Sequence, residues 1–328
     1  MPVMTMLEAI RHTLHEEMAR DPRMMVLGQD VAALGGVFRA TEGLRDRFGA
    51  GRVVDMPLAE AVIVGASLGL AWSGMVPVAE IQFLGFTQQA FHQVAGQLAR
   101  IRARTGGMRG CQATIRAPFG GGVRAPELHS DSLEAQFAQC PGLKIVAPAS
   151  AADARGLLAT AIRDPDPVLY LEPLRGYRAI KDEVPEGEHT VPFGQAREVR
   201  PGDDCVIIAW SAMVQTCVRA AAEVEAATGA SIGVLDLRTL VPLDVESIVA
   251  AAQRAGRVVV AQEAPPTAGF ASEVVTVVQE NAFYSLEAPV ARVSGFDTPY
   301  PPGMLEEHWL PGSRRVAAAV RRTLEARA

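Results

Sequence analysis

The chain has 328 residues, 49% of them hydrophobic and 21% charged, which allows one large globular domain or two of ordinary size and excludes a disordered composition. Its 31 Lys and Arg against 37 Asp and Glu give a net charge of −6, with the signs mixed along the chain, so no basic stripe points to nucleic acid. The long apolar runs carry Gly, Pro or a carboxylate, against a membrane span, and Cys111, Cys140, Cys205 and Cys217 form no CxxC pair and read as reduced packing residues.

Residues 1–20 predict an amphipathic helix with His12, His15, Glu16 and Glu17 on its wet side. That segment lacks the apolar core of a signal peptide, so a cytoplasmic protein is expected. Strands are predicted over 24–27, 76–83, 112–116, 143–147 and 168–171, with a helix over 151–163. Between 172 and 204 the periodicity fades into a stretch with Pro173, Pro185, Gly187, Pro192, Pro201 and Gly202, the composition of a connection. Beyond it, strands are expected over 205–210, 231–235, 258–262 and 290–294, separated by helices over 214–227, 245–255 and 272–281. This alternation predicts an α/β protein of two doubly wound domains, 1–190 and a smaller 191–328.

The GxGxxG fingerprint, the GxxxxGK[ST] loop and HExxH are all absent. The run from Gly65 to Gly69 does match G-x-S-x-G, which would make Ser67 the nucleophile of a serine hydrolase. A nucleophile elbow must feed a helix, however, and Gly74 and Pro77 leave too little chain for one. Pro57 suits a first helical turn, so 59–73 reads as one helix whose Gly65 and Gly69 let a neighbouring helix pack closely.

The residues from Met56 to Ala79 contain a single charge, Glu60. A helix that apolar is expected to be buried. Burying an unpaired carboxylate costs on the order of several kcal/mol, so Glu60 must be protonated, paired, or bonded to a group that wants negative charge. The alternative is a carboxylate that caps its own helix amides. His129 follows the Gly120-Gly121-Gly122 stretch and Pro126, an irregular loop able to reach a cleft or simply to lie on the surface.

The segment Val53-Val54-Asp55-Met56-Pro57-Leu58-Ala59-Glu60-Ala61, followed by Pro77-Val78-Ala79-Glu80-Ile81-Gln82-Phe83, resembles the beta subunit of thiamine-diphosphate-dependent 2-oxo acid dehydrogenases. Leu27-Gly28-Gln29-Asp30-Val31, Gly35-Gly36-Val37-Phe38, His129-Ser130 and Cys140-Pro141-Gly142-Leu143-Lys144 are similar to further family blocks. So are Asp236-Leu237-Arg238-Thr239-Leu240 with Pro242, Glu263-Ala264-Pro265 and Gly295-Phe296-Asp297-Thr298-Pro299, in order along the whole chain.

The resemblance implies a transketolase-like pyrimidine-binding domain and a C-terminal domain that contributes no catalytic residue. It implies that Glu60 hydrogen-bonds the N1′ nitrogen of the cofactor's aminopyrimidine, that Phe86 packs against that ring, and that Leu58 and Gln29 border it. His129 is implied on the substrate side, in proton transfer or reductive acylation of lipoyl groups. A potassium site is implied at Ala113, Thr114, Ala161, Ile162, Asp164 and Asp166, although Asp164–Asp166 could equally end a helix and start a loop. The Gly-Asp-Gly motif and later Asn that hold magnesium on the diphosphate are absent here, which implies a separate alpha subunit, two alpha with two beta chains, and the cofactor between them. The implied reaction is oxidative decarboxylation of a 2-oxo acid with acyl transfer to a lipoyl-bearing acyltransferase core, branched-chain in preference, with pyruvate or acetoin as the alternative. Gln29, Asp131 and Gln262 depart from the family's usual residues, and Gln29 cannot ionise, which breaks any acidic relay through it. A non-catalytic interaction subunit is the remaining alternative.

Overall fold

The computed structural model describes residues 1–326. Seven strands form the larger sheet in the order Thr239–Val241, Lys144–Val146, Val168–Pro173, Thr114–Phe119, Val76–Glu80, Met24–Gly28 and Val53–Asp55. All neighbours run parallel except the first pair. Strands buried on both faces need continuous apolar runs, and Val76–Glu80, Thr114–Phe119 and Val168–Pro173 are buried at every position. The second sheet has the order Ala291–Val293, Val258–Ala261, Cys205–Ala209, Ile232–Asp236 and Arg197–Arg200, parallel except for the last strand. The α/β class therefore stands.

Thr239–Val241, which follows the second sheet's Ile232–Asp236 strand, crosses over to pair with Lys144–Val146 and extends the first sheet. One apolar core is continuous across the junction, with Ile115 and Leu169 in the same cluster as Ile208, Leu235 and Val258. On the other side the chain holds to the first sheet's helices up to Val191, whose amide donates to Gly156 O at 3.2 Å.

Local chemistry sets the helix ends. Ser150 caps Ala151–Arg163 by accepting from Asp153 N at 3.0 Å, and Asp244 caps Val245–Ala255 by accepting from Ser247 N at 3.0 Å. The first helix is Met6–Arg20 rather than 1–20, because Val3–Thr5 forms a strand against Lys181–Glu183 and Thr5 opens a capping box with Glu8. Glu17 is not on the wet side of that helix. Ala151–Arg163 packs over it, and Glu17 is buried with Arg163 at 2.7 Å and Arg20 at 2.6 Å. All four cysteines are buried and free. Among the described residues no helix is long and apolar enough to cross a membrane.

Candidate active site

In open α/β sheets a ligand crevice lies outside the carboxyl ends of the strands, where the strand order reverses. Here the chain passes from Met24–Gly28 to Val53–Asp55 on one side and then to Val76–Glu80 on the other, so the reversal falls at the ends of Met24–Gly28 and Val76–Glu80. Four expected site positions follow the carboxyl ends of Met24–Gly28, Val53–Asp55 and Val76–Glu80. Gln29 comes after the first strand, Leu58 and Glu60 after the edge strand, and Phe86 after Val76–Glu80. The strand expected over 76–83 stops at Glu80, and residues 81–83 leave the sheet toward this crevice. Gln82 Nε2 donates to Asp30 Oδ2 at 3.1 Å across the gap.

Glu60 opens the helix Glu60–Trp72 and is only 6% exposed. The cap position is Ala59, with no side-chain cap bond, and Glu60 stands in the first turn, where its charge favours the helix's amino end without a hydrogen bond to it. Its Oε2 is buried and meets no hydrogen-bond partner. A buried carboxylate oxygen of this kind can accept a donor or share a proton.

The helix itself is not buried as its composition led us to expect. Ile63, Val64 and Ser67 face inward, whereas Val62 and Trp72 are exposed and Leu58, just before it, is 71% exposed. Hydropathy predicts that an apolar face is covered but not by which chain. Within this chain Gly65 meets the Gln93 side chain of the helical turn His92–Gln97 at ordinary contact distance, as expected of a close-packing glycine, whereas Gly69 faces open space. The hydrolase reading falls here as well. Ser67 is fully buried and its hydroxyl donates to Ile63 O at 3.0 Å within the helix.

His129 and Phe86 are brought together from two short 3-10 helices, Glu127–His129 and Leu84–Ala90, with ring centroids 5.0 Å apart at 80°. Phe83 completes the group, 4.4 Å from His129 and 5.5 Å from Phe86, and Phe38 and Tyr177 continue the aromatic wall. Gly85 is required at this junction, because a Cβ there would collide with the Leu128 carbonyl. The His129 ring is half-buried and its Nδ1, like Glu60 Oε2, is buried without a partner. Beside it Asp131 is held above the usual carboxylate range by burial and by the Glu127 charge.

The wall rests on a buried ion network that sequence reading missed. Arg116 donates from Nε and Nη2 to Glu172 at 2.7 and 3.0 Å and from Nη1 to Glu80 at 2.8 Å. Tyr177 also donates its hydroxyl to Glu172. Burial pushes the Glu80 carboxyl up, opposed by Arg116, and also raises the Tyr177 phenol. Nothing in a local pattern pairs residues 36 and 56 positions apart, although isolated charges inside three apolar strands are a signal. Gln262 is structural. It accepts from Ala271 N at 2.7 Å and donates to Pro265 O at 2.6 Å.

The six residues of the implied potassium site gather at the opposite, amino end of the sheet. Lys144 Nζ donates to both Asp164 oxygens at 2.7 Å, and Asp166 pairs with Arg102 at 2.7 Å. The carbonyls of Ala113, Ala161 and Ile162 accept from Val168 N, Asp164 N and Gln112 Nε2. Thr114 sits in the strand, fully buried. No group of three or more His, Cys, Asp or Glu able to hold a metal occurs among the described residues.

Comparison with known proteins adds an independent line. Residues 3–179 match the family described as transketolase, pyrimidine binding domain, and residues 194–316 match transketolase, C-terminal domain. The chain is 48% identical over 325 residues to the pyruvate dehydrogenase E1 component subunit beta of Staphylococcus epidermidis, covering 99% of this chain and 100% of that one. The Staphylococcus aureus protein of the same description matches equally, at 48% over 325 residues. Among solved structures, a split-gene transketolase described as an inactive beta4 tetramer superposes with a TM-score of 0.82, at 25% identity and 99% coverage of both chains.

Proposed function

The chain belongs to the beta subunits of thiamine-diphosphate-dependent 2-oxo acid dehydrogenases, and from that membership we propose that it works with an alpha subunit to decarboxylate pyruvate oxidatively. The observation that carries this reading is Glu60, a buried carboxylate with an unpartnered oxygen, on a helix that packs beside Leu84–Ala90, the segment whose Phe86 meets His129. These residues fit the cofactor. Glu60 would hold a proton shared with N1′ of the aminopyrimidine, and the aromatic wall offers Phe86 as a face for that ring. Leu58 and Gln29, in the segments that follow their strands, would border it. When bound, thiamine diphosphate supplies the electron sink for loss of carbon dioxide, while the protein contributes orientation and electrostatics.

His129, half-buried with one ring nitrogen free, holds or moves a proton on the substrate side. The chain lacks the Gly-Asp-Gly motif for magnesium, so we assign the magnesium and diphosphate half to the alpha subunit, in an assembly of two alpha and two beta chains. The exposed apolar face at Leu58, Val62 and Trp72 supports a partner chain on this side. The acyl product passes to a lipoyl group on an acyltransferase core. Pyruvate is preferred over a branched-chain acid because the relatives at 48% identity carry the pyruvate name. No role is assigned to potassium, since the carboxylates that would hold it are already paired with Lys144 and Arg102.

Co-expression with an alpha-type chain, followed by assay of pyruvate against 2-oxoisovalerate with an artificial electron acceptor, tests the proposal. The complex is expected to turn over pyruvate faster. A preference for 2-oxoisovalerate would restore the branched-chain reading, and decarboxylation by this chain alone would refute the divided site.

A further inference from the structure

The loop that carries His129 is held in place by carboxylates from the far end of the chain. Its neck closes where Gly120 N donates to Asp131 O at 3.3 Å. Along its rim, Gly122 N donates to Glu306 Oε1 at 2.9 Å, and Arg124 N is shared between both Glu306 oxygens at 3.1 Å each. Tyr300 gives its hydroxyl to the same Oε1 at 2.7 Å. One residue earlier, Gly121 N donates to Glu263, which Arg175 also contacts at 3.1 Å. Gly121 cannot be replaced without a clash, since a Cβ would collide with the Tyr300 hydroxyl.

These bonds matter because of where they lie. Glu306 is 3% exposed, and a buried carboxylate needs partners. Its partners are backbone amides of the loop and one phenol, charge-assisted bonds stronger than neutral ones. A loop rich in glycine and otherwise exposed at Val123, Arg124 and Leu128 would sample many conformations without them. The geometry points to Glu306, backed by Glu263, as a positioning residue: through the backbone of 120–124 it fixes where His129 sits against Phe83 and Phe86. This assignment rests on the function proposed above, and it gives the C-terminal domain a part in the reaction without placing any of its side chains in the crevice.

The test uses the full chain assembled with its alpha partner, in four forms: parent, Glu306→Ala, His129→Ala and the double variant, with Glu306→Gln as the conservative control. Glu306→Ala is expected to lower kcat roughly 10- to 100-fold, the cost of a small misplacement of a reacting group. The amides of 121–124 should exchange with solvent at least about tenfold faster, as loss of a bond to a charged acceptor implies. Glu306→Gln, which keeps one acceptor oxygen, should recover most of both. In the double variant kcat should fall no further than in His129→Ala, because the two act as one unit. Full kcat in Glu306→Ala, unchanged amide exchange, or an additive loss in the double variant would each overturn the assignment. Should Glu306→Ala fail to fold, Glu306→Asp keeps the charge and draws the carboxylate back from these amides; a few-fold faster exchange at 121–124 supports the clamp and unchanged exchange refutes it. A parent complex without turnover would sink the proposed function, while the exchange measurement on the same chain would still decide the clamp.

Discussion

The two ends of the seven-stranded sheet carry similar residues in opposite electrostatic states. At the amino ends Asp164 and Asp166 are each matched by a cation, Lys144 and Arg102, and the nearby carbonyls accept protein donors. At the carboxyl ends Glu60 Oε2 and His129 Nδ1 are shielded from water and have no partner. The first end is electrostatically finished and the second is not. A buried polar group without a partner calls for an explanation, which a bound group would supply at this end of the sheet, whereas a carboxylate with its own ammonium is accounted for within the chain.

The largest effect expected from this contrast is at Glu60. Glu60→Gln keeps the shape and removes the shared proton, so turnover in the alpha–beta complex should drop by roughly 10²- to 10⁴-fold, with assembly by size-exclusion unchanged. Retained turnover would mean that the empty oxygen is incidental. Beneath the same end, Arg116→Met would leave Glu80 and Glu172 buried without their cation, Glu172 keeping only the Tyr177 hydroxyl. Denaturant unfolding should report a loss of about 3–5 kcal/mol. A loss under about 1 kcal/mol would show that the network does not support the aromatic wall.

A smaller effect concerns pH. Glu134, buried with an unpartnered Oε2 and with its other oxygen 3.4 Å from the Trp210 indole nitrogen, is pushed up to about 7, chiefly by burial. An unfolded glutamate titrates near 4.5, so the folded chain binds the extra proton between these values. Its contribution is complete below about 4.5 and is lost as pH rises through about 7. Stability should therefore decline between pH 5 and 8 by on the order of 1–3 kcal/mol on this account, and Glu134→Gln should make the slope shallower, leaving the part due to Asp236, which burial also raises to about 7. An identical slope in the variant would remove Glu134 as its cause. The smallest effect belongs to the finished end. Replacing KCl by NaCl should leave the parent's thermal midpoint unchanged, and Lys144→Met should cost up to about 1 kcal/mol while making the midpoint respond to potassium. A potassium response in the parent would bring the implied site back.

What the sequence made legible follows the same division between local and distant causes. Ala151–Arg163 and Val245–Ala255 could be bounded because Ser150 and Asp244, their caps, adjoin them. Glu60 was visible as a lone charge in an apolar stretch, and His129 and Phe86 through the resemblance of their blocks. The crossover of Thr239–Val241 into the first sheet, the bonds of Arg116, and the hold of Glu306 on amides more than 180 positions away leave no periodic trace. A carboxylate that accepts from backbone amides imposes nothing on the partner side chains. Composition likewise predicted that Glu60–Trp72 would be covered, and could not say that Val62 and Trp72 remain open in this chain.

The central claim is that Glu60 belongs to half of a cofactor site. Calorimetric titration of thiamine diphosphate with magnesium into this chain, into an alpha-type chain, and into their mixture tests it most directly. The account predicts saturable binding in the mixture and none with this chain alone; tight binding to this chain by itself would contradict it.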